Sequence, residues 1–152
     1  MKTNRHNRKG FTLAEAMIAV TLLAFAASAV TMPFVAGAAC RAEGARRTLA
    51  AKLAQDRLEQ LERIAKIDYS QLWMYDGWYE FPGGLDDGNG GFLTDPVYSD
   101  FTRFSNVVSF SVQNGVLVQV APGAESDFSM VTVSVSYDNG LMDVCLGTII
   151  GK

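Results

Sequence analysis

Lys9-Gly10-Phe11-Thr12-Leu13-Ala14-Glu15-Ala16-Met17-Ile18-Ala19-Val20 is the stretch on which the reading of this chain turns. Ahead of it, Lys2, Arg5, Arg8 and Lys9 give the first ten residues four positive charges and no negative one. Beyond it the chain stays apolar to Cys40, and Glu15 is the one charge between Phe11 and Cys40. A basic segment before a long apolar run stays in the cytoplasm while the chain beyond the run crosses the membrane. About 20 residues, at about 1.5 Å each, span the hydrocarbon. Residues 16–40 supply 25 uncharged positions, enough for a tilted span. Pro33 lies late in the run, and a kink is expected there because its ring removes a backbone donor and crowds the carbonyl four residues earlier.

Glu15 demands an explanation. A carboxylate at the centre of a membrane helix costs about 2.5–3.5 kcal/mol, less near an end. One account is an acid that snorkels to the cytoplasmic interface, a turn inside the span. A sharper one opens if the chain is cut before Phe11. The new α-amine then carries a positive charge four residues from Glu15, and in an assembly the carboxylate of one subunit can pair with the amine of its neighbour. That pairing offsets desolvation and fixes the axial register of packed helices. Two other processing schemes compete. Ala27-Ser28-Ala29 has the small-x-small form of a secretory cleavage site, but an acid inside the apolar core and eleven further apolar residues past Ala29 count against it. A lipoprotein signal ending at Cys40 lacks the usual Leu three residues earlier, and its leader would be too long.

These residues resemble the class III signal of type IV prepilins and pseudopilins: a basic leader, a Gly, then Phe-Thr-Leu-x-Glu and an apolar helix. The departure is Ala14, where many members have Leu or Ile. The resemblance implies cleavage by prepilin peptidase between Gly10 and Phe11, N-methylation of Phe11, and an assembly role for Glu15. It also implies other pilin or pseudopilin subunits, an inner-membrane assembly platform and the lipid bilayer as partners, and a bacterial inner-membrane location with the head outside. More faintly, Leu49-Ala50-Ala51-Lys52-Leu53-Ala54-Gln55-Asp56-Arg57-Leu58-Glu59-Gln60-Leu61 is similar to a stretch of the type II secretion I-subunit and of pilus-modification pilins.

Past Cys40 the helix is expected to continue through an amphipathic stem, residues 41–67. Ala50, Leu53, Ala54, Leu58, Leu61, Ile64 and Ala65 recur on one face, and Glu43–Arg47, Glu59–Arg63 and Glu62–Lys66 are acid-before-base pairs at i,i+4. A helix from residue 11 to 67 would run roughly 85 Å. Residues 68–103 read as an irregular connection containing Trp73, Tyr75, Trp78, Tyr79 and Phe81, aromatics expected to cover the end of the core or to anchor a neighbour. The last third is β. Val131 to Tyr137 alternates apolar and polar, Asn139-Gly140 reads as a two-residue turn into Met142–Ile150, and Asn114-Gly115 divides 104–112 from 116–120. The expected fold is α+β: a cleaved leader (1–10), a transmembrane and assembly helix (11–40), the stem (41–67), and a head (68–152) whose antiparallel sheet of about four strands packs on the stem.

Charge narrows the function. Residues 67–152 hold eleven acids against Arg103 and Lys152, which argues against nucleic-acid binding, since that needs a basic face. Asp86, Asp87, Asn89 and Asp95 in a Gly-rich turn are hard oxygen donors of the kind calcium takes, although the twelve-residue loop spacing and its terminal Glu are missing, and Asp and Gly favour turns anyway. No cofactor is otherwise implied. The sole His, His6, lies in the leader, so no Ser/His/Asp, Cys/His or His-based metal set can form in the mature chain, and no phosphate loop or dinucleotide fingerprint appears. Cys40 and Cys145 read as two separate buried thiols rather than a disulfide. The chain therefore reads as a structural subunit of a type II secretion pseudopilus or a type IV pilus. The alternative is a single-pass anchored binding module with an acidic head that does not polymerise.

Overall fold

The computed structural model describes residues 12–152. The chain divides into two compact units, Met1–Gly44 and Ala45–Lys152. One helix, α1 (Leu13–Ile67), runs through the first unit and into the second. It continues through Pro33, and it is long and apolar enough to cross a membrane.

In the second unit α1 buries Ala50, Leu53, Ala54, Leu58, Leu61 and Ala65, the expected stripe with Ile64 only half covered, and with one unexpected member, Arg57. On the stem Glu59 Oε1 accepts from Gln55 Nε2, one turn earlier, at 3.0 Å. Asp68 ends the helix. Its side chain accepts from Ser70 N–H (3.0 Å) and Ser70 Oγ (2.6 Å), starting a 3-10 helix at Tyr69–Tyr75. Those hydrogen bonds, the hydroxyl's first, hold the Asp68 carboxyl below its usual range. The connection is thus less irregular than its composition implied. It also holds β1 (Trp78–Glu80) and a second 3-10 turn at Pro96–Tyr98.

Five strands form the sheet, not four: β1, β2 (Thr102–Gln113), β3 (Val116–Gln119), β4 (Phe128–Tyr137) and β5 (Met142–Gly151). The order is β1-β2-β4-β5, all antiparallel, with β3 sharing the β1 side of β2. β1 was missed because three residues, Trp78, Tyr79 and Glu80, are too short a run to show alternation. Asn114 (φ 53°) and Gly115 (φ 78°) make the two-residue turn between β2 and β3. The second turn is longer than expected. Tyr137 pairs with Met142, so residues 138–141 form the loop, with Asp138, Asn139 and Gly140 all at positive φ. Between β1 and β3 the edge of β2 has no partner strand, and Asp76 Oδ1 takes the Val107 N–H there at 3.0 Å.

The inner face of the sheet carries Val131, Val133, Val135 and Tyr137 of β4 and Val107 of β2, with Val144, Leu146 and Ile150 of β5 packed against them. The rest of the inner row of β2 is polar: Arg103, Ser105 and Ser109 are all buried. Both cysteines are free thiols and exposed, against the expectation of burial. On β5 the half-buried side chains are Val144, Leu146, Thr148 and Ile150, so Cys145 falls on the opposite, outer face.

Candidate functional site

The processing signal is built at the start of α1. Gly10 and Phe11 lie outside the described residues, so the structure begins with the Thr12–Glu15 pair. Thr12 precedes the first helical residue, and its Oγ1 accepts the Glu15 N–H at 3.3 Å. Glu15 Oε2 in return accepts from Thr12 N–H (3.1 Å) and Thr12 Oγ1 (2.9 Å). This is a reciprocal capping box: each side chain satisfies a backbone donor that the first helical turn leaves open. The Thr-x-x-Glu spacing before an apolar run was legible in the sequence as such a box, and reading Glu15 for its charge alone passed over it. Both contacts go to one carboxylate oxygen, Oε2.

A second constellation lies inside the second unit. Arg57 of α1 is 1% exposed, Glu80 of β1 5% and Arg103 of β2 2%. Glu80 Oε2 accepts from Arg103 Nε at 2.7 Å and also contacts Arg103 Nη2. Arg57 Nη2 stands 3.2 Å from Glu80 Oε1, an ion pair outside hydrogen-bond geometry. Arg57 Nη1 reaches Asp86 Oδ2 at 3.5 Å and donates to Gln60 Oε1, while its Nε meets Ser105 Oγ at 3.4 Å. The guanidinium carbon lies 5.1 Å from the centre of the Tyr75 ring, within cation–π range. Arg103 adds bonds to the carbonyls of Leu53 (3.3 Å) and Asp86 (2.9 Å). Two cations and two carboxylates thus cancel, and the cluster ties the helix, the connection and the sheet to one another.

Of the four residues expected to offer oxygens to calcium, Asp86, Asp87 and Asp95 each accept hydrogen bonds from separate donors. Asp86 Oδ2 accepts from Gln60 Nε2 at 3.0 Å and Oδ1 from Gly88 N–H at 2.7 Å. Burial pushes the Asp86 carboxyl up, but these hydrogen bonds and the charges of Arg57 and Arg103 outweigh it and hold the group below the usual carboxylate range. Asp87 Oδ1 accepts from the N–H groups of Asn89 (2.8 Å) and Gly91 (2.9 Å). Asp95 caps the Pro96–Tyr98 turn through Val97 N–H at 2.9 Å. Among the described residues no group of three or more His, Cys, Asp or Glu side chains converges. The geometry gathers Asp86 with Arg57 and Arg103 instead.

The aromatics divide. Tyr75 covers Arg57 and meets Trp78 edge-on at 6.1 Å; Tyr79 and Phe81 meet edge-on at 4.9 Å with both rings exposed. A cavity of about 410 Å³ opens beside Trp73, lined in part by the hydroxyls of Tyr69, Ser109, Ser126 and Ser129. Ser109, Ser129 and Tyr69 are linked at 2.9 Å each, and Ser126 joins Tyr69 at 3.4 Å.

Residues 5–31 match the family model for the prokaryotic N-terminal methylation motif, the class III signal of type IV pilins. The match spans the leader from Arg5, both sides of the Gly10–Phe11 bond, the capping pair and the apolar helix to Thr31. No curated protein matches the chain, and no solved structure does. The chain thus carries this motif at the head of a helix long and apolar enough to cross a membrane, and its second unit has the α+β, pilin-like plan of a helix packed on a small antiparallel sheet.

Proposed function

We propose that the chain is a structural subunit of a pilus or of a type II secretion pseudopilus. Prepilin peptidase cuts it between Gly10 and Phe11 and methylates Phe11, and its apolar helix packs it into an assembly on the inner-membrane platform. The observation that carries this reading is the methylation motif at residues 5–31. The form of the helix start supports it. Glu15 closes its own capping box through Oε2, so on this reading one carboxylate serves the subunit's first turn and, through its other oxygen, a neighbour's terminal amine. Such a charge pair, made only between subunits, favours assembly over the isolated anchored chain.

The test is the mature N-terminus together with one substitution. Mass determination is expected to find a chain beginning with methyl-phenylalanine at Phe11. Glu15→Val is expected to insert and be cut normally while subunits no longer recover as assemblies. A mature chain beginning after Ala29 would overturn the proposal, as would Glu15→Val assembling like the wild type.

A further inference from the structure

The sheet ends in two open edges of opposite direction, and that relation carries an inference. β5 pairs with β4 over ten consecutive residues without a skipped position, so it has no bulge, and no Pro, Lys or Arg falls within Met142–Gly151. Asp143 near one end is its one charge, and long, regular edges of this sort are templates for another strand. Ile149 on its outer face is 69% exposed. The far side of the sheet is the edge made by β1 and β3, where Trp78, Tyr79, Val116 and Leu117 are exposed. Four alternating strands separate the two rims: β1 and β3 run against β2, β4 against β2, and β5 against β4. With an even number of alternating strands the two rims run in opposite directions. A copy shifted sideways without being turned over therefore brings its β1–β3 edge against β5 in antiparallel sense, with outer face continuing outer face.

We propose that this contact is made: β5 of one copy adds to the β1–β3 edge of the next copy of the same chain. The occupant is a second copy because strand direction fits one that points the same way. Copies anchored by the same helix in one assembly do point the same way, and in this the inference rests on the proposed function. The contact is heterologous, so it leaves a free rim at each end and propagates rather than closing as a pair. Register fixes its centre. Tyr79 is opposite Phe104, Phe104 opposite Ser134, and Ser134 opposite Cys145. Tyr79 and Cys145 thus stand at one level on the outer face, at opposite rims. Within a subunit they are three strand spacings apart, about 14 Å, too far for a disulfide, which needs Cα atoms within about 7 Å. Between neighbours they are adjacent.

The experiment uses the full chain in its native membrane, with Cys40→Ser to leave Cys145 as the sole thiol and Tyr79→Cys as its partner. Mild oxidation is expected to give a ladder of dimers, trimers and larger species. Cys40→Ser alone is expected to stay monomeric, as is Cys40→Ser with Met130→Cys, which sits on the outer face away from either rim. A second pair at the other end of the contact, Gly151→Cys with Gln119→Cys in a Cys40→Ser, Cys145→Ser background, is expected to give the same ladder and removes dependence on any one variant folding. Dimers from Cys40→Ser alone would indicate a two-fold contact and overturn the proposal, as would an equal ladder from Met130→Cys. If an amine-reactive reagent links the wild type into multimers and neither cysteine pair does, the edge contact is wrong and the assembly reading stands. If the wild type gives no multimers, both fall.

Discussion

Glu80→Gln tests the buried cluster most directly. The substitution keeps the side chain's shape and removes its charge. Arg57 and Arg103, 1% and 2% exposed, are then left with Asp86 alone, and that carboxylate is one-third exposed. The amide's N–H donors also face guanidinium donors, so at least one of the contacts at 2.7 Å and 3.2 Å becomes donor against donor. Removing one partner of a buried pair costs about 3–5 kcal/mol, because an uncompensated charge remains. For a unit of this size that corresponds to a fall of about 12–20 °C in Tm, at about 4 °C per kcal/mol. The assay is thermal unfolding of the full chain in detergent, followed by near-ultraviolet dichroism of Trp73 and Trp78, both in the second unit. The double variant with Arg57→Met removes one charge of each sign and leaves Arg103 facing Asp86, so its cost is expected to fall short of the summed singles by about 1–3 kcal/mol. A Glu80→Gln protein within about 1 kcal/mol of wild type, or strictly additive singles, would show that the cluster does not act as a unit.

Three further outcomes follow from the same geometry. The Asp86 carboxyl is held below its usual range in the folded state, so its contribution is present above the unfolded carboxyl pKa of about 4 and lost as pH falls through the lower folded value; Asp86→Asn should flatten the acid limb of a stability–pH curve. Millimolar calcium should leave Tm unchanged, because the oxygens of Asp86, Asp87 and Asp95 are turned to separate donors, whereas a rise that saturates with calcium would refute this. Ser129→Ala strands the Ser109 hydroxyl and leaves that of Tyr69 with its longer contact to Ser126; it should cost about 1–3 kcal/mol by denaturant unfolding, with a Ser109→Ala, Ser129→Ala double costing less than the sum.

The parts of the fold that depend on local chemistry could be read in advance. The end of α1 at Ile67, the Asn114-Gly115 turn and the alternation of β4 each follow from a few adjacent residues. The placement of β3 could not be read. Its hairpin is local, but β4 takes the other side of β2, a choice made by packing between distant segments. The length of the second hairpin loop was misjudged because Asp138, like Asn139, accepts positive φ. Arg57 left a signal that went unused. It stands seven residues after Ala50 and four after Leu53, in the middle of the apolar stripe. Arg103 is the one base of the head besides Lys152, and Glu80 sits alone among Trp78, Tyr79 and Phe81. Taken singly, each is one charge among many in the sequence, and only their convergence makes them a core. The methylation signal was the most legible feature, because its residues are contiguous.

Arg57 fastens the stem to Ser105 and Glu80, and the Leu53 carbonyl fastens it to Arg103 in strand β2. A load applied along the stem therefore reaches the head at a charged rivet set among side chains packed sideways. Slippage by one turn would have to uncouple the Arg57 guanidinium from Glu80 and Asp86, and the Arg103 guanidinium from the Leu53 carbonyl, before any apolar contact could re-form. Stem and head should accordingly yield to tension together, in a single step.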